Sequence, residues 1–166
     1  MSIITDLEQR DLLSESLQRF NHHLPTALWK SIELKCVANQ ISKIALMPPI
    51  LDLGAGEGIF SSAIFDKIEI GVDLSLDSLR YCQNLHTYRG CILADARNLP
   101  FKQGSFGSVF SNCTIEHIPE LESVLLEISR VSRKGGKFIL TVPTDLFDRF
   151  SFISAFLRSL GLNSLA

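Results

Sequence analysis

The sequence predicts a doubly wound α/β fold, a mostly parallel sheet with helices on both faces. Three observations predict it: five short apolar runs, amphipathic stretches between them, and a glycine-rich turn directly after the first run. Strands covered on both faces read as near-continuous apolar runs rather than as alternating patterns. Strands that alternate with helices select a parallel sheet. At 166 residues the chain fits one domain, since a core of this length removes roughly 68–70% of the unfolded surface from water.

Taken in order, residues 1–48 read as an N-terminal helical lid or padding. Leu13, Leu17 and Phe20, and after Pro25 also Leu28, Ile32 and Leu34, recur at helical spacing, which predicts two helices between residue 6 and about residue 46. Pro48 and Pro49 close that segment. Residues 49–143 are the ligand-binding domain, with strands predicted over 50–53, 68–72, 91–94, 108–111 and 137–142. Helices are predicted near 58–66, 76–86 and 119–131. Residues 144–166 read as an aromatic amphipathic helix, with Phe147, Phe150, Phe152, Ile153, Phe156 and Leu157 crowded together. Such a face must cover something apolar: this domain, a twin subunit, or a membrane surface.

The bulk properties narrow the partners. The net charge is −2 and the Lys and Arg residues are scattered, so the electrostatic footprint of a nucleic-acid binder is absent and no nucleic-acid partner is expected. Cys36, Cys82, Cys91 and Cys113 show no C-x-x-C pair or zinc-type spacing, so they are expected to be reduced, buried thiols with no metal. Asp6 and Glu8 interrupt the N-terminus where a signal peptide would be basic and then apolar, which sets the expectation of a cytoplasmic protein. No run reaches the roughly 18 apolar residues of a membrane span, which leaves peripheral contact as the most a membrane could offer.

The chemistry concentrates in Pro49-Ile50-Leu51-Asp52-Leu53-Gly54-Ala55-Gly56-Glu57-Gly58, a buried strand that runs into a glycine turn and then a helix. Glycines belong where backbone approaches a ligand or takes a positive φ. The helix that follows offers N–H groups and a positive dipole end to an anion, a carboxylate as readily as a phosphate. Position 59 is Ile59 rather than the glycine that the dinucleotide fingerprint requires, which weakens an NAD reading without removing it. No G-K-[ST] sequence closes the run, so it is not a Walker A loop.

Two further strand ends add carboxylates. The second strand ends at Gly71-Val72-Asp73, about 20 residues past the glycines, where a carboxylate accepts from both ribose hydroxyls. The third ends at Ala94-Asp95-Ala96. In an open parallel sheet the carboxyl ends of neighbouring strands face one crevice, so Asp52, Asp73 and Asp95 converge from separate parts of the chain. Asp95 also suits a plain cap for the turn Arg97-Asn98-Leu99-Pro100.

The series of Ile50 to Gly58, Gly71-Val72-Asp73, Ala94 to Phe101, Ser105-Phe106 to Ile118 and Arg133-Lys134-Gly135-Gly136-Lys137-Phe138 resembles the motifs of class I S-adenosylmethionine-dependent methyltransferases of the ubiquinone-biosynthesis-like group. The resemblance covers roughly residues 49 to 143 and implies a Rossmann-like domain that uses S-adenosyl-L-methionine and releases S-adenosyl-L-homocysteine. It implies that Gly54, Ala55, Gly56 and Gly58 hold the methionine portion with Asp52 near its amino group, and that Asp73 takes the ribose hydroxyls. By the same resemblance Asp95 accepts from the adenine amino group, Ala96 offers its N–H to the ring, Leu74 and Arg97 flank adenine, and Asn112 lines the methionine end and faces the acceptor.

Three departures stand out. Gly107 replaces the Asp this group commonly carries before the fourth strand, and Lys134 replaces the usual proline before Gly135-Gly136. The group also continues to a sixth and a seventh strand, whereas only residues 144–166 follow here, so that terminal hairpin is expected to be missing. The fifth strand is then expected to be an exposed apolar edge, in a truncated chain or one covered by a partner such as a second copy.

Methyl transfer needs positioning and desolvation, and a base where the acceptor is protonated. The local base candidate is His117 in Thr114-Ile115-Glu116-His117, whose ordinary pKa near 6.5 suits proton removal at neutral pH; the plainer reading is that it begins a helix. The expected function is methyl transfer to a small-molecule, lipid or glycan-type acceptor. Two alternatives stay open: a catalytically incomplete cofactor-binding module that needs a partner or a further segment, and a nucleotide-sugar or NAD enzyme. The N-terminal residues to watch are Trp29 and Lys30; His22 and His23 carry no assigned role.

Overall fold

The computed structural model describes Ser14, Ser16, Gln18 and residues 24–143. The expected C-terminal helix, His22, His23 and most of the first N-terminal helix lie outside those residues. Within them the chain runs α1 (Leu24–Ile41), β1 (Ile50–Leu53), α2 (Ile59–Ile64), β2 (Ile70–Asp73), α3 (Leu76–Gln83), β3 (Cys91–Leu93), β4 (Phe106–Asn112), one tight helical turn (Ile115–His117), α4 (Leu121–Val131) and β5 (Ser132–Thr141). The five strands form one sheet in the order β3-β2-β1-β4-β5, and every neighbouring pair is parallel. The order reverses at β1, which leads to β2 on one side and lies against β4 on the other. Such a switch point leaves a crevice beyond the carboxyl ends of the strands.

Two apolar layers cover the sheet. On one face Leu34, Val37, Ala38 and Ile41 of α1 pack with Ile50, Ala63, Ile64, Phe65, Tyr88 and Phe110. On the other, Val124, Ile128 and Val131 of α4 pack with Leu51, Leu53, Val72 and Val109. The split follows from alternation along β1, where Ile50 and Asp52 face one layer and Leu51 and Leu53 the other. The Phe65 and Phe110 rings meet edge to face at 5.2 Å, a preferred aromatic geometry.

Several boundaries differ from the sequence expectation for identifiable reasons. The second N-terminal helix starts at Leu24 with Pro25 in its first turn, where a missing N–H does no harm. Its buried line is Ala27, Leu34, Ala38 and Ile41, while Leu28 and Ile32, expected on the apolar face, are exposed. Helix α2 cannot begin at residue 58, because Gly58 sits at φ 76°, and Phe65 ends it in an extended conformation. Strand β2 starts two residues later and ends one residue later than expected; Ile68 contributes only an isolated bridge to Tyr88. Strand β5 begins at Ser132 rather than 137, since Gly135 and Gly136 belong to a register jump between the Phe106–Ser132 and Ser108–Lys137 pairs rather than to a turn before the strand. Of the four thiols expected to be buried, Cys36 is exposed on α1 and Cys91 and Cys113 are half-buried.

Gly107 has a specific cause. A Cβ there would lie 2.4 Å from the Met47 carbonyl oxygen and 2.8 Å from that of Pro48, so the chain that enters β1 occupies the space an Asp would need. Among the described strands β5 is an edge, and Phe138 on it is exposed. No helix among the described residues is long and apolar enough to cross a membrane.

Candidate active site

A cavity of about 480 Å³ opens at the carboxyl end of the sheet. Its walls come from the four strands that flank the switch point: Leu53, Gly54 and Gly56 after β1, Val72, Asp73 and Leu74 after β2, Ala94 to Arg97 after β3, and Asn112, Cys113, Thr114, His117 and Ile118 after β4. The size falls in the range of small-molecule sites. Of the residues singled out from sequence, Gly54, Gly56, Asp73, Leu74, Asp95, Ala96, Arg97, Asn112 and His117 line it, and Asp52, Ala55 and Gly58 do not.

Each glycine of the turn has its own reason to be glycine. Gly54, Gly56 and Gly58 all take positive φ. Thr114 packs so closely on Gly54 that a Cβ would lie 2.2 Å from its methyl carbon. A Cβ on Gly56 meets nothing within 4 Å, so a side chain there would project into open space beside the cavity. A Cβ on Gly58 would lie 2.7 Å from the Tyr88 ring. Four N–H groups of the turn itself are already engaged within the protein. Gly54 and Ala55 donate to the Val72 carbonyl, Gly58 to that of Ala55, and Gly56 to Asp73 Oδ2 at 2.8 Å. What the turn offers is close backbone approach without side chains.

Asp73 is the pivot of the site. Its Oδ2 accepts from Gly56 and its Oδ1 from the Ser75 N–H at 2.8 Å. An ionised carboxylate has about four acceptor positions, so each oxygen keeps one for a further donor. A vicinal diol matches that pair.

Asp52 lies behind the wall. It is fully buried and accepts from the Tyr88 hydroxyl at 2.6 Å. Burial pushes its pKa up to about 6, partly offset by the Tyr88 and Ser61 hydrogen bonds and increased by the nearby Asp73 charge. Tyr88, held up far more strongly by burial and by Asp52, stays a protonated donor at any working pH.

At the β3 end Asp95 is gripped by Arg97, with the Nη2–Oδ2 contact at 2.7 Å and the Arg97 backbone N–H on Oδ1 at 2.9 Å. These bonds hold the Asp95 carboxyl below its usual range. An amino group that arrives at Asp95 must therefore displace part of the Arg97 fork, which also reaches Glu120 at 2.7 Å.

The loop after Asp95 is braced from α4. Glu127 accepts from the Leu99 N–H at 2.6 Å, and Arg130, paired with Glu127, donates to the carbonyls of Phe101 and Leu99. Hydrogen bonds from Arg130, the largest cause, keep the Glu127 carboxyl below its ordinary range.

His117 sits on the tight turn at the cavity rim, its side chain 78% exposed, with Nε2 3.9 Å from Glu116 Oε1. Lys30 on α1 lies 5.3 Å from the Phe60 ring centroid and pairs with Glu33 at 2.8 Å. Glu33 in turn accepts from Asn112 Nδ2 at 2.9 Å. Glu33, Tyr88, Glu127 and Arg130 escaped the sequence reading, because each supports the wall from a distant part of the chain and carries no local motif; only the 127/130 spacing signalled an ion pair.

A glycine turn, a strand-end carboxylate with two acceptor positions, and a cavity at the switch point of a parallel sheet define a doubly wound domain of the kind that binds a nucleoside-bearing ligand. The profile of the family described as a methyltransferase domain matches residues 51–140, and the chain belongs to that family, the class I S-adenosylmethionine-dependent methyltransferases.

The chain is 29% identical over 105 residues to a fatty-acid O-methyltransferase of Mycolicibacterium smegmatis, covering 60% of this chain and 38% of that protein. It is 32% identical over 94 residues to a malonyl-[acyl-carrier protein] O-methyltransferase of Hamiltonella defensa, covering 55% and 36%. It thus spans well under half the length of these curated relatives. A SAM-dependent methyltransferase of Thermotoga maritima shares the fold with a TM-score of 0.62 at 23% identity, over 89% of this chain and 66% of that one. Family and fold together imply use of S-adenosylmethionine.

Proposed function

We propose that this domain binds S-adenosylmethionine across the switch point and transfers its methyl group to a small-molecule, lipid or glycan-type acceptor. The observation that carries the reading is the Asp73 carboxylate, held by Gly56 and Ser75 at the cavity wall with one acceptor position left on each oxygen. The residues present fit the cofactor: Gly56 leaves room that any side chain would fill. Asp73 is assigned to the ribose hydroxyls, Asp95, Ala96, Arg97 and Leu74 to adenine, and Gly54, Gly56 and Asn112 to the methionine portion. Asp52, Ala55 and Gly58 support the turn from behind.

S-adenosylmethionine, when bound, supplies a methyl group activated by its sulfonium. The chain's part is to fix the ligand along the strand ends and to keep the β4 end open to an acceptor. His117, at the rim, is assigned to proton removal from acceptors that carry one. Two of the relatives are a fatty-acid and a malonyl-[acyl-carrier protein] O-methyltransferase, which supports a carboxyl or lipid-like acceptor.

Calorimetric titration with S-adenosylhomocysteine tests the reading, with NAD as control ligand. Micromolar binding is expected for the wild type. Asp73→Ala removes two charge-assisted hydrogen bonds worth about 1.5–3 kcal/mol each, so affinity should fall about 100-fold or more. Tighter binding of NAD than of S-adenosylhomocysteine would overturn the assignment. A second reading, a cofactor-binding module that needs a partner or further segment for turnover, is favoured by the exposed Phe138 on the β5 edge. It predicts the same titration with no methyl transfer to any carboxyl or lipid acceptor.

A further inference from the structure

Helix α1 reaches the far end of the cavity through one side chain. The order of the strands lays the cavity out as a line: Asp95 beyond β3, Asp73 beyond β2, the glycine turn beyond β1 and Asn112 beyond β4. A ligand with its ribose at Asp73 and its base at Asp95 must project the rest of its length over the turn toward Asn112. At that end Glu33 of α1 stands directly behind the wall, its side chain only 10% exposed. Its Oε1 accepts from Asn112 Nδ2 at 2.9 Å and from Cys113 Sγ at 3.4 Å, and its Oε2 from Lys30 Nζ at 2.8 Å.

These contacts fix Asn112 without ambiguity. A carboxylate only accepts, so the amide must turn its NH₂ to Glu33, and its Oδ1 then accepts from the Thr141 hydroxyl. The next residue, Cys113, is the only non-glycine among the described residues with positive φ, at 50°. Such a conformation persists only where its surroundings hold it. Here the Cys113 N–H donates to the Thr141 carbonyl and its thiol to Glu33. Burial, followed by the Glu33 charge, pushes the Cys113 thiol up to about 11, so at neutral pH it is the protonated donor this contact requires.

We infer that Glu33 is a positioning residue for the amino-acid end of the cofactor: it sets the Asn112 amide and the Cys113 backbone that form the β4 end of the cavity, and so couples α1 to that end alone. The inference rests on the proposed cofactor reading and adds a residue to it that does not itself line the cavity.

Two ligands separate the ends of the cavity in a titration of the full chain. S-adenosylhomocysteine carries base, ribose and amino-acid arm, whereas 5′-methylthioadenosine lacks the arm. Glu33→Ala should weaken S-adenosylhomocysteine about tenfold and leave methylthioadenosine within about twofold, which also shows that the variant is folded. Glu33→Gln keeps an acceptor for Asn112 and should stay within about threefold of wild type for both ligands.

Because Glu33 acts through Asn112, the double variant Glu33→Ala/Asn112→Ala should bind S-adenosylhomocysteine no more weakly than Asn112→Ala alone. Equal loss of both ligands in Glu33→Ala, no loss of either, failure of Glu33→Gln to restore affinity, or multiplicative losses in the double variant would each overturn the inference while leaving the cofactor reading intact. A wild type that binds neither ligand overturns both.

Discussion

Replacing Asp52 by asparagine should make the protein more stable at neutral pH. A carboxyl that ordinarily ionises at 3.8 and here keeps its proton up to about 6 carries an ionisation penalty of about 3 kcal/mol in the fold once fully charged. The group is completely buried, so solvent screening does not reduce that figure. The sign follows from proton linkage. Between pH 3.8 and about 6 the folded state binds more protons at Asp52 than the unfolded state does, so this contribution to stability is fully present below 3.8 and is lost as the pH rises through that window.

Asparagine keeps the acceptor for the Tyr88 hydroxyl, and its NH₂ can donate to Ser61, whose hydroxyl serves as donor or acceptor. Urea unfolding followed by circular dichroism, on wild type and Asp52→Asn in parallel, cancels the titration of every other group. The stability difference in favour of Asp52→Asn should widen by about 2 kcal/mol between about pH 4.5 and about pH 7.5. Parallel stability curves would show that Asp52 ionises without penalty. A variant less stable than wild type at pH 7.5 would show that the buried charge is a net stabiliser.

Two further substitutions probe the frame of the cavity. Gly107→Ala drives a methyl group to 2.4 Å from the Met47 carbonyl oxygen, and since the obstacle is backbone, a loss of about 2–3 kcal/mol is expected in urea unfolding; an unchanged midpoint would mean that the 47–48 segment yields freely. Glu127→Ala orphans the Leu99 N–H and frees Arg130, which should lower stability by about 1–3 kcal/mol. It should also speed amide exchange at Leu99 and weaken methylthioadenosine as much as S-adenosylhomocysteine, in contrast to the selective loss of S-adenosylhomocysteine expected for Glu33→Ala.

The parts of the site that were legible in the sequence are those whose geometry is local. Gly54 to Gly58 and Asp73 follow strands, and a parallel sheet places every strand end on the same side, so the convergence of the glycine turn with Asp73 and Asp95 follows from the element order alone. Asp52 shows where that logic stops. It stands two residues before the turn, and alternation along β1 sends its side chain into the α1–α2 layer beside Ile50 rather than toward the crevice.

The supporting residues were illegible for a different reason. Glu33 meets Asn112 across 79 positions of sequence and Tyr88 meets Asp52 across 36, and pairs at such separations are set by how helices dock on the sheet. The misplaced start of β5 has a third cause. Gly135-Gly136 reads as a turn, whereas the structure absorbs the extra residues as an irregularity inside the β4–β5 pairing, and local composition cannot separate those outcomes.

Departures from the stable arrangement gather around one cavity. Asp52 is a buried carboxylate against its own ionisation, and Cys113 holds a left-handed backbone. Each makes sense as positioning. Tyr88, anchored by Asp52, fills the space beneath both Gly58 and Gly71, where a Cβ would stand 2.7 Å and 3.0 Å from its ring, and so fixes the height of the turn above the sheet. Cys113, held by Glu33 and Thr141, fixes the opposite wall. Strain that collects at a ligand site and is held by packing from elsewhere is the pattern expected where function rather than stability sets the residue. On that view Asp52→Asn should separate the two demands: a more stable protein whose turn is held less tightly, since a neutral amide accepts the Tyr88 hydroxyl more weakly than a charged carboxylate does.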